Sequence, residues 1–257
     1  MSFADWVDES RERFDHEPTP RAVKESVVEF ASGALLRAQW AWMKTVGGPT
    51  VKTSLGGENL YFLVDSAQDL RRAQNAIDET PILDWLLRDI DEETVFWDIG
   101  AYHGHYSLVA ASKGAETIAF EPYPDNVDRF RRNISLNGCD VTLRELGLSD
   151  EEDICPFAVN DGSTSEFRID DNGEFEVPVV RGDMIHPRPD IVKIDVEGHE
   201  ESVLDGMPST LDSVCRIVVE VHDGVDPHSV WDRLDAVGLS VQELATDRSQ
   251  TYLGGER

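Results

Sequence analysis

From Thr94 onward, short apolar segments alternate with amphipathic ones, and this alternation restricts the possible folds more than any other feature. The apolar segments are 94–99, 116–121, 140–148, 190–195 and 215–221. Segments with helical spacing of apolar residues lie at 104–112, 125–137, 199–206 and 228–237. Nearly continuous apolar strands joined by helices are typical of a parallel sheet that is covered on both faces. The sequence therefore predicts an α/β protein with a Rossmann-like, doubly wound and mostly parallel sheet.

The segments outside this alternation are predicted to be an N-terminal extension, an insert and a closing hairpin. Residues 1–90 form the extension, and residues 91–257 form the main domain. In the extension we expect two helices on either side of "HEPTP", a β-hairpin around Gly56 and Gly57, and a further helix near "PILDWLLRDI". The insert at 151–180 favours short antiparallel strands, which could equally form a lid or a plain surface hairpin.

The charge of the chain limits its partners and its surroundings. Asp and Glu number 51 and Lys and Arg 23, so the formal net charge is −28, and the acids are scattered rather than collected in a tail. Such a surface is typical of a halophilic protein, because high salt screens the self-repulsion. It argues against a nucleic acid partner, which would need a basic surface. No transmembrane segment and no secretory signal are recognisable, so a cytoplasmic location is expected.

Polar residues follow the predicted strands at the edge where ligands bind in doubly wound sheets. Asp98 lies at the end of the first strand, and Gly100 and Gly104 follow it. Glu121 ends the second strand, where a carboxylate can accept hydrogen bonds from ribose hydroxyls. The remaining strand-end residues are Ser149 and Asp150 after the third strand and Asp195 after the fourth. Carboxylates at successive strand ends suit a nucleoside without phosphate, of which S-adenosylmethionine is the common example. An NAD-binding oxidoreductase would instead carry G-x-G-x-x-G, which is missing.

These motifs resemble the FkbM-type S-adenosylmethionine-dependent methyltransferases. The resemblance covers residues 94–222 and is carried by "DIGAYHGHYS", "AFEPYPDN", "RRNISLNG", "GLSD" and above all "VKIDVEGHEESVLDGM". It implies a Rossmann-like class I methyltransferase fold that binds S-adenosyl-L-methionine. The implied cofactor residues are Asp98, Gly100, Tyr102, Gly104, Glu121, Ser149, Asp150 and Asp195. It further implies methyl transfer to an oxygen, most often a sugar hydroxyl, with the regions outside the match selecting the acceptor.

The string "KIDVEGHE" supplies the predicted catalytic residues, which are Lys193, Asp195, Glu197 and His199. A methyl transfer to a hydroxyl needs a group that removes the acceptor proton, and His199 is the preferred base because imidazole titrates near neutral pH. Methyl esterification of a uronic acid carboxylate is the close alternative, since that nucleophile is already ionised.

Several further alternatives stay open at this point. Asp195, Glu197, His199, Glu220 and His222 include enough ligand types for a divalent metal, although their spacing alone does not favour one. A non-catalytic S-adenosylmethionine-binding module is a third functional class. The acceptor could be lipid-linked, in which case the segment 27–42 could lie on the membrane surface. The sequence does not reveal the oligomeric state.

Overall fold

A computed structural model describes residues 50–64, 70, 80–159, 167–169, 175–246 and 250–257. The chain divides into two compact units, of which one comprises residues 52–63 and 75–257. This unit contains every predicted site residue and is described below. The predicted helices within residues 1–46, including segment 27–42, lie outside the described residues. The predicted division into residues 1–90 and 91–257 stays a prediction.

The described part of the chain contains thirteen strands and six α-helices. In chain order the strands are β1 (Thr50–Leu55), β2 (Glu58–Leu63), β3 (Val95–Ile99), β4 (Glu116–Phe120), β5 (Val141–Arg144), β6 (Gly147–Ser149), β7 (Asp153–Val159), β8 (Phe167–Ile169), β9 (Phe175–Arg181), β10 (Ile191–Ile194), β11 (Arg216–His222), β12 (Ser240–Thr246) and β13 (Gln250–Glu256). The helices are α1 (Thr80–Leu86), α2 (His105–Ser112), α3 (Pro124–Asn137), α4 (Glu200–Asp205), α5 (Pro208–Leu211) and α6 (Pro227–Ala236).

The main sheet has seven strands in the order β12-β13-β11-β10-β3-β4-β5. Strands β11, β10, β3, β4 and β5 are parallel, whereas β13 is antiparallel to both of its neighbours. The strand order reverses between β3 and β10, because the chain builds outward from β3 to β5 and then returns to the other side of β3. The predicted mostly parallel, doubly wound sheet is confirmed. Ligands of such sheets bind beside this reversal, at the carboxyl ends of the strands.

Apolar side chains cover both faces of this sheet. Alternate residues of β3 enter different clusters: Phe96 belongs to one buried cluster, and Trp97 and Ile99 belong to the other. Trp97 is fully buried and packs edge-on against Phe120 of the neighbouring strand. Burial on both faces explains why the strands read as continuous apolar runs rather than as alternating ones.

The third predicted strand, 140–148, is wrong as a single element. Strand β5 ends at Arg144 as the edge of the main sheet, and β6 belongs to a separate four-stranded sheet of order β6-β9-β7-β8. The predicted strand is divided because residues 147–149 pair with β9 and not with the main sheet. This pairing is parallel, with Gly147 in register with Val179. Ser149 therefore ends a strand of the smaller sheet, and Asp150 follows it. The other pairings of this sheet are antiparallel, as predicted for the insert.

The hairpin of β1 and β2 packs on helix α3 through amide side chains. The Asn137 side chain accepts a hydrogen bond from the backbone amide of Tyr61 at 2.8 Å and donates one to the backbone carbonyl of Tyr61 at 2.8 Å. Asn133 accepts from the backbone of Leu63 at 2.9 Å. The predicted turn at Gly56 and Gly57 is confirmed, and both glycines have positive φ. Among the helices that the structure describes, none is long and apolar enough to cross a membrane.

Candidate functional site

The loop after β3 lies against the end of β10, at the reversal of strand order. Gly100 has φ +79°, and a Cβ there would lie 1.7 Å from the carbonyl oxygen of Asp195. The backbone amides of Gly100 and Ala101 both donate to the Phe120 carbonyl at 3.0 Å. Glycine is required at position 100 because the two strand ends approach each other with no space for a side chain.

Gly104 has a packing role that the sequence did not indicate. It precedes α2 with φ +85°, and a Cβ there would lie 1.9 Å from the ring of Phe130. The space beside Gly104 is therefore filled by a core side chain of α3. The predicted place of Gly104 in the cofactor site stays a prediction, which would now have to involve its backbone. The glycine serves the contact between α2 and α3.

Asp98 is a buried carboxylate with one oxygen left without a hydrogen bond. Its Oδ2 accepts hydrogen bonds from the backbone amide of Ser107 at 3.0 Å and from the Ser107 hydroxyl at 2.6 Å. None of the described residues donates a hydrogen bond to its Oδ1. Burial raises the pKa of Asp98, although the charge of Lys193 and the bonds from Ser107 oppose the rise. A ligand that donates a hydrogen bond or carries positive charge would satisfy the remaining oxygen.

Glu121 lies directly after β4 and is held by the loops on either side. Its Oε2 accepts from the Tyr102 amide at 2.8 Å, and its Oε1 accepts from the Tyr123 amide at 2.9 Å. Burial raises the pKa of Glu121 to about 7, against these backbone hydrogen bonds. Each carboxylate oxygen has a further lone pair, so the group can accept two more hydrogen bonds in a fixed orientation.

Ser149, Asp150 and His199 form a second group of predicted residues. The Ser149 hydroxyl is 3.1 Å from Asp150 Oδ1 and 3.0 Å from His199 Nε2. His199 immediately precedes α4, and burial lowers its pKa. The imidazole that we predicted as a general base is thus engaged with a hydroxyl of the smaller sheet.

Lys193 is a charged residue on a buried strand, and it is paired with a carboxylate. Its Nζ lies 2.8 Å from Asp195 Oδ2 and 4.9 Å from the centre of the Tyr106 ring. In the parallel pairing of β10 with β3, Lys193 is in register with Asp98. Burial disfavours its charged form, but the carboxylates of Asp195, Asp98 and Glu220 outweigh burial and raise the pKa of Lys193.

His222, at the end of β11, lies among carboxylates from two neighbouring strand ends. Its Nε2 is 3.7 Å from Asp195 Oδ1, 3.5 Å from Glu197 Oε2 and 3.7 Å from Glu220 Oε1. Its Nδ1 bonds to Glu200 Oε1 at 2.8 Å. Burial disfavours the imidazolium, but the bond to Glu200 and the nearby carboxylates raise the pKa of His222 to about 9.

Comparison with known proteins identifies the family of the domain that contains this site. Residues 98–239 match the protein family described as the methyltransferase FkbM domain. The chain belongs to this family. A hexuronic acid methyltransferase of Haloferax volcanii, AglP, is 30% identical to the chain over 226 residues, which are 85% of the chain and 94% of the relative. The predicted family is therefore confirmed, and FkbM membership makes the chain an S-adenosylmethionine-dependent methyltransferase rather than an oxidoreductase.

Solved structures with similar backbones are less alike in sequence. The precorrin-6y C5,15-methyltransferase of Geobacter metallireducens has a TM-score of 0.48 and 18% identity, with 70% of this chain and 89% of that one covered. The magnesium protoporphyrin IX methyltransferase of Synechocystis PCC 6803, solved with bound S-adenosylmethionine, has a TM-score of 0.49 and 14% identity, with 74% and 83% covered.

The carboxylates of this FkbM domain fit the cofactor of the family. Glu121 has lone pairs left for two ribose hydroxyls, and Asp98 has an oxygen left for a donor such as an ammonium group. A diphosphate would be repelled by both groups. The fit therefore agrees with S-adenosylmethionine, although the role of each individual residue stays a prediction.

The structure collects the predicted residues into three groups along the strand ends. One comprises Asp98, Gly100, Tyr102, Gly104 and Glu121, the second Ser149, Asp150 and His199, and the third Lys193, Asp195 and Glu197. The third group also contains Glu220 and His222, which the parallel pairing of β10 with β11 brings there. Sequence reasoning missed Glu200 and Tyr252, whose side chains bond to His222 and Glu220. The signal for Glu200 was an acidic residue inside the matched "VEGHEE" string.

Proposed function

We propose that this FkbM methyltransferase transfers a methyl group from S-adenosylmethionine to a hexuronic acid residue of a glycan. The observation that carries the proposal is the 30% identity to AglP of Haloferax volcanii over 94% of that protein's length. A match of this extent reaches beyond residues 98–239, into the flanking regions that we expect to select the acceptor. The strongly acidic composition agrees with the high-salt cell interior that the sequence predicts.

The proposed binding mode uses the acceptor groups of the strand ends. Glu121 receives the ribose hydroxyls, Asp98 receives the amino group, and Ser149 with Asp150 lies on the adenine side. When bound, the cofactor supplies an activated methyl group on a sulfonium. Catalysis by this chain then consists chiefly of holding the acceptor oxygen in line, which is worth many orders of magnitude in rate for an oriented pair.

We further propose that the acceptor oxygen belongs to the carboxylate of the hexuronic acid. A sugar carboxylate is ionised at neutral pH and needs no base, unlike a hydroxyl. The positions of the two strand-end histidines support this choice, because His199 bonds to Ser149 and His222 bonds to Glu200. Methylation of a sugar hydroxyl is the alternative that the experiment must separate.

The experiment uses methyl-labelled S-adenosylmethionine, the full chain in molar KCl and a panel of oligosaccharides that differ at one terminal sugar. The panel carries glucuronic acid, galacturonic acid, glucuronamide or glucose. Label should appear on the uronic acids and should be released as methanol by mild alkali, as expected of an ester. Glucuronamide keeps every ring hydroxyl and lacks the carboxylate, so it should stay unlabelled.

Two results would redirect the proposal. Alkali-resistant label on both glucuronic acid and glucuronamide would assign the methyl group to a hydroxyl. Label on glucose alone, or on none of the uronic acids, would contradict a hexuronic acid acceptor. A lipid-linked form of the acceptor, a cytoplasmic location and acceptor selection by residues 1–90 stay predictions from the sequence.

A further inference from the structure

We infer that Asp195, Glu220 and His222 form a binding site for one divalent metal ion, with Mn²⁺ or Mg²⁺ as the ion that fits best. The site lies at the carboxyl ends of the adjacent strands β10 and β11, beside the proposed cofactor site. The metal site rests on the geometry alone, whereas the role of the ion in acceptor binding rests on the proposed function.

The distances between the three ligand groups match those around a single ion. One ligand atom from each residue lies within 4.8 Å of the other two. His222 Nε2 is 3.7 Å from Asp195 Oδ1 and 3.7 Å from Glu220 Oε1. Two atoms bound to one octahedral ion at about 2.1 Å lie between roughly 3.0 and 4.2 Å apart, depending on whether they are adjacent or opposite. The two separations from His222 Nε2 fall inside this interval and exceed the length of a direct hydrogen bond.

Each ligand is oriented by a neighbouring side chain, and for His222 and Asp195 the neighbour binds the atom opposite the one that faces the site. Glu200 binds Nδ1 of His222 at 2.8 Å, so the opposite nitrogen faces the carboxylates. Lys193 binds Oδ2 of Asp195, whereas Oδ1 faces His222. The Tyr252 hydroxyl donates at 3.0 Å to Oε1 of Glu220, the oxygen that faces His222, and so positions that ligand atom directly. Metal-bound histidines characteristically have a carboxylate on their second nitrogen, which fixes the tautomer and the ring.

An independent observation is the excess of negative charge around His222, on the Nδ1 side and on the Nε2 side of its ring. Glu200 is fully buried, and within the described part of the chain nothing donates a hydrogen bond to its Oε2. The Glu197 carboxylate adds a further oxygen 3.5 Å from His222 Nε2. Buried carboxylates are costly unless a cation compensates them. Among the described residues, Lys193 and His222 are the two basic side chains that face the four carboxylates of Asp195, Glu197, Glu200 and Glu220, so acids outnumber bases in this cluster and a divalent ion would reduce the excess negative charge.

The donor set indicates the class of ion and its use. Two carboxylates and one imidazole form a mostly oxygen site, which favours Mg²⁺ or Mn²⁺ over the ions that prefer sulfur. Without the ion, the strand ends beside the cofactor would repel a hexuronate. With the ion in place, the same edge of the sheet attracts the acceptor carboxylate and can hold it through an open coordination position.

The experiment measures Mn²⁺ binding to the full chain after EDTA treatment, by the loss of the electron paramagnetic resonance signal of free Mn²⁺. Molar KCl in the buffer suppresses weak binding to surface acids. Glu220→Gln and His222→Gln test the ligands, and Glu243→Gln is the matched control on the exposed face of β12. Binding of S-adenosylhomocysteine, measured by calorimetry on each variant, reports that the fold and the cofactor site are intact.

We expect one site in the parent and in Glu243→Gln, with affinity reduced about tenfold or more in the two ligand variants. Added Mg²⁺ should compete for the same site. Equal Mn²⁺ binding by all four proteins, or no binding by a parent that still binds S-adenosylhomocysteine, would overturn the metal site. Neither result bears on whether a hexuronic acid is methylated, because the label-transfer experiment reports on that separately.

Discussion

The hydrogen bond between Glu200 and His222 joins the first turn of helix α4 to the end of strand β11. It is 2.8 Å long, and Glu200 is fully buried. Because the bond occupies Nδ1, it turns Nε2 toward the carboxylates of Asp195, Glu197 and Glu220. The acidic edge of this FkbM domain is thus an ordered cluster, in which the bond to Glu200 fixes the orientation of the His222 ring.

Replacement of His199 tests the proposed nature of the acceptor. His199→Ala should change kcat less than about threefold at saturating S-adenosylmethionine and uronic acid, because an ionised acceptor needs no base. Loss of a general base typically costs 10²- to 10⁴-fold. The measurement is the initial rate of label transfer across neutral pH. A fall of a hundredfold in kcat would instead make His199 the base for a hydroxyl acceptor.

The buried carboxyl of Glu121 should make the cofactor-free protein less stable as the pH rises. Its pKa is raised from 4.5 to about 7, so the native state holds this proton more firmly than the unfolded chain does. This contribution to the free energy of unfolding is fully present below pH ~4.5 and is lost as the pH rises through 7. The shift corresponds to about 3 kcal/mol.

Urea unfolding of the parent and of Glu121→Gln near pH 5 and pH 8 isolates this contribution. The variant cannot ionise at position 121, so its stability relative to the parent should increase toward pH 8 by up to about 3 kcal/mol. A stability difference that stays the same at both values would show that Glu121 titrates as an ordinary exposed carboxyl.

Gly104 should tolerate alanine much less well than Gly138. Both glycines have positive φ, but a Cβ at Gly104 would overlap the Phe130 ring, whereas nothing lies within 4 Å of one at Gly138. Gly138→Ala should cost about 1 kcal/mol of backbone strain. Gly104→Ala should cost a further 1–3 kcal/mol from overpacking. Chemical denaturation measures both, and equal losses would refute the packing role of Gly104.

Salt should stabilise the protein by screening its net charge of −28. The Debye length falls from about 10 Å at 0.1 M to about 3 Å at 1 M salt, so repulsion between surface acids weakens strongly over this interval. The unfolding temperature should therefore rise steeply with KCl. Sucrose of equal osmolality, which does not screen charge, is the control. An equal rise in both solutes would attribute the effect to general exclusion from the protein surface.

The order of elements and two of the site carboxylates follow from local sequence. Apolar runs predict the strands because the sheet is buried on both faces, and Asp98 and Glu121 stand out because each ends or follows such a run. These are patterns that a few neighbouring residues determine. The sequence motifs that resemble the family then assign the same positions to the edge of the sheet where the cofactor binds.

The contacts that the sequence did not predict join residues far apart in the chain. Gly104 meets Phe130, residues 147–149 pair with β9, and Tyr252 reaches Glu220. Each depends on the path of a later segment, so no local pattern contains it. Glycine next to a strand end indicates close approach equally well for a ligand and for a packed ring, and only the fold decides between them.

The most direct test of the account is the affinity of S-adenosylhomocysteine for the parent, Glu121→Gln and Glu116→Gln, measured by calorimetry in high salt. Glu116 is exposed at the opposite end of the same strand and serves as the matched control. Hydrogen bonds from two ribose hydroxyls to a charged acceptor are worth about 1.5–3 kcal/mol. Glu121→Gln should therefore bind S-adenosylhomocysteine roughly 10- to 100-fold more weakly than the parent, and Glu116→Gln should bind it with the affinity of the parent. Unchanged affinity in Glu121→Gln, or no binding by the parent, would contradict a cofactor site at this edge of the sheet.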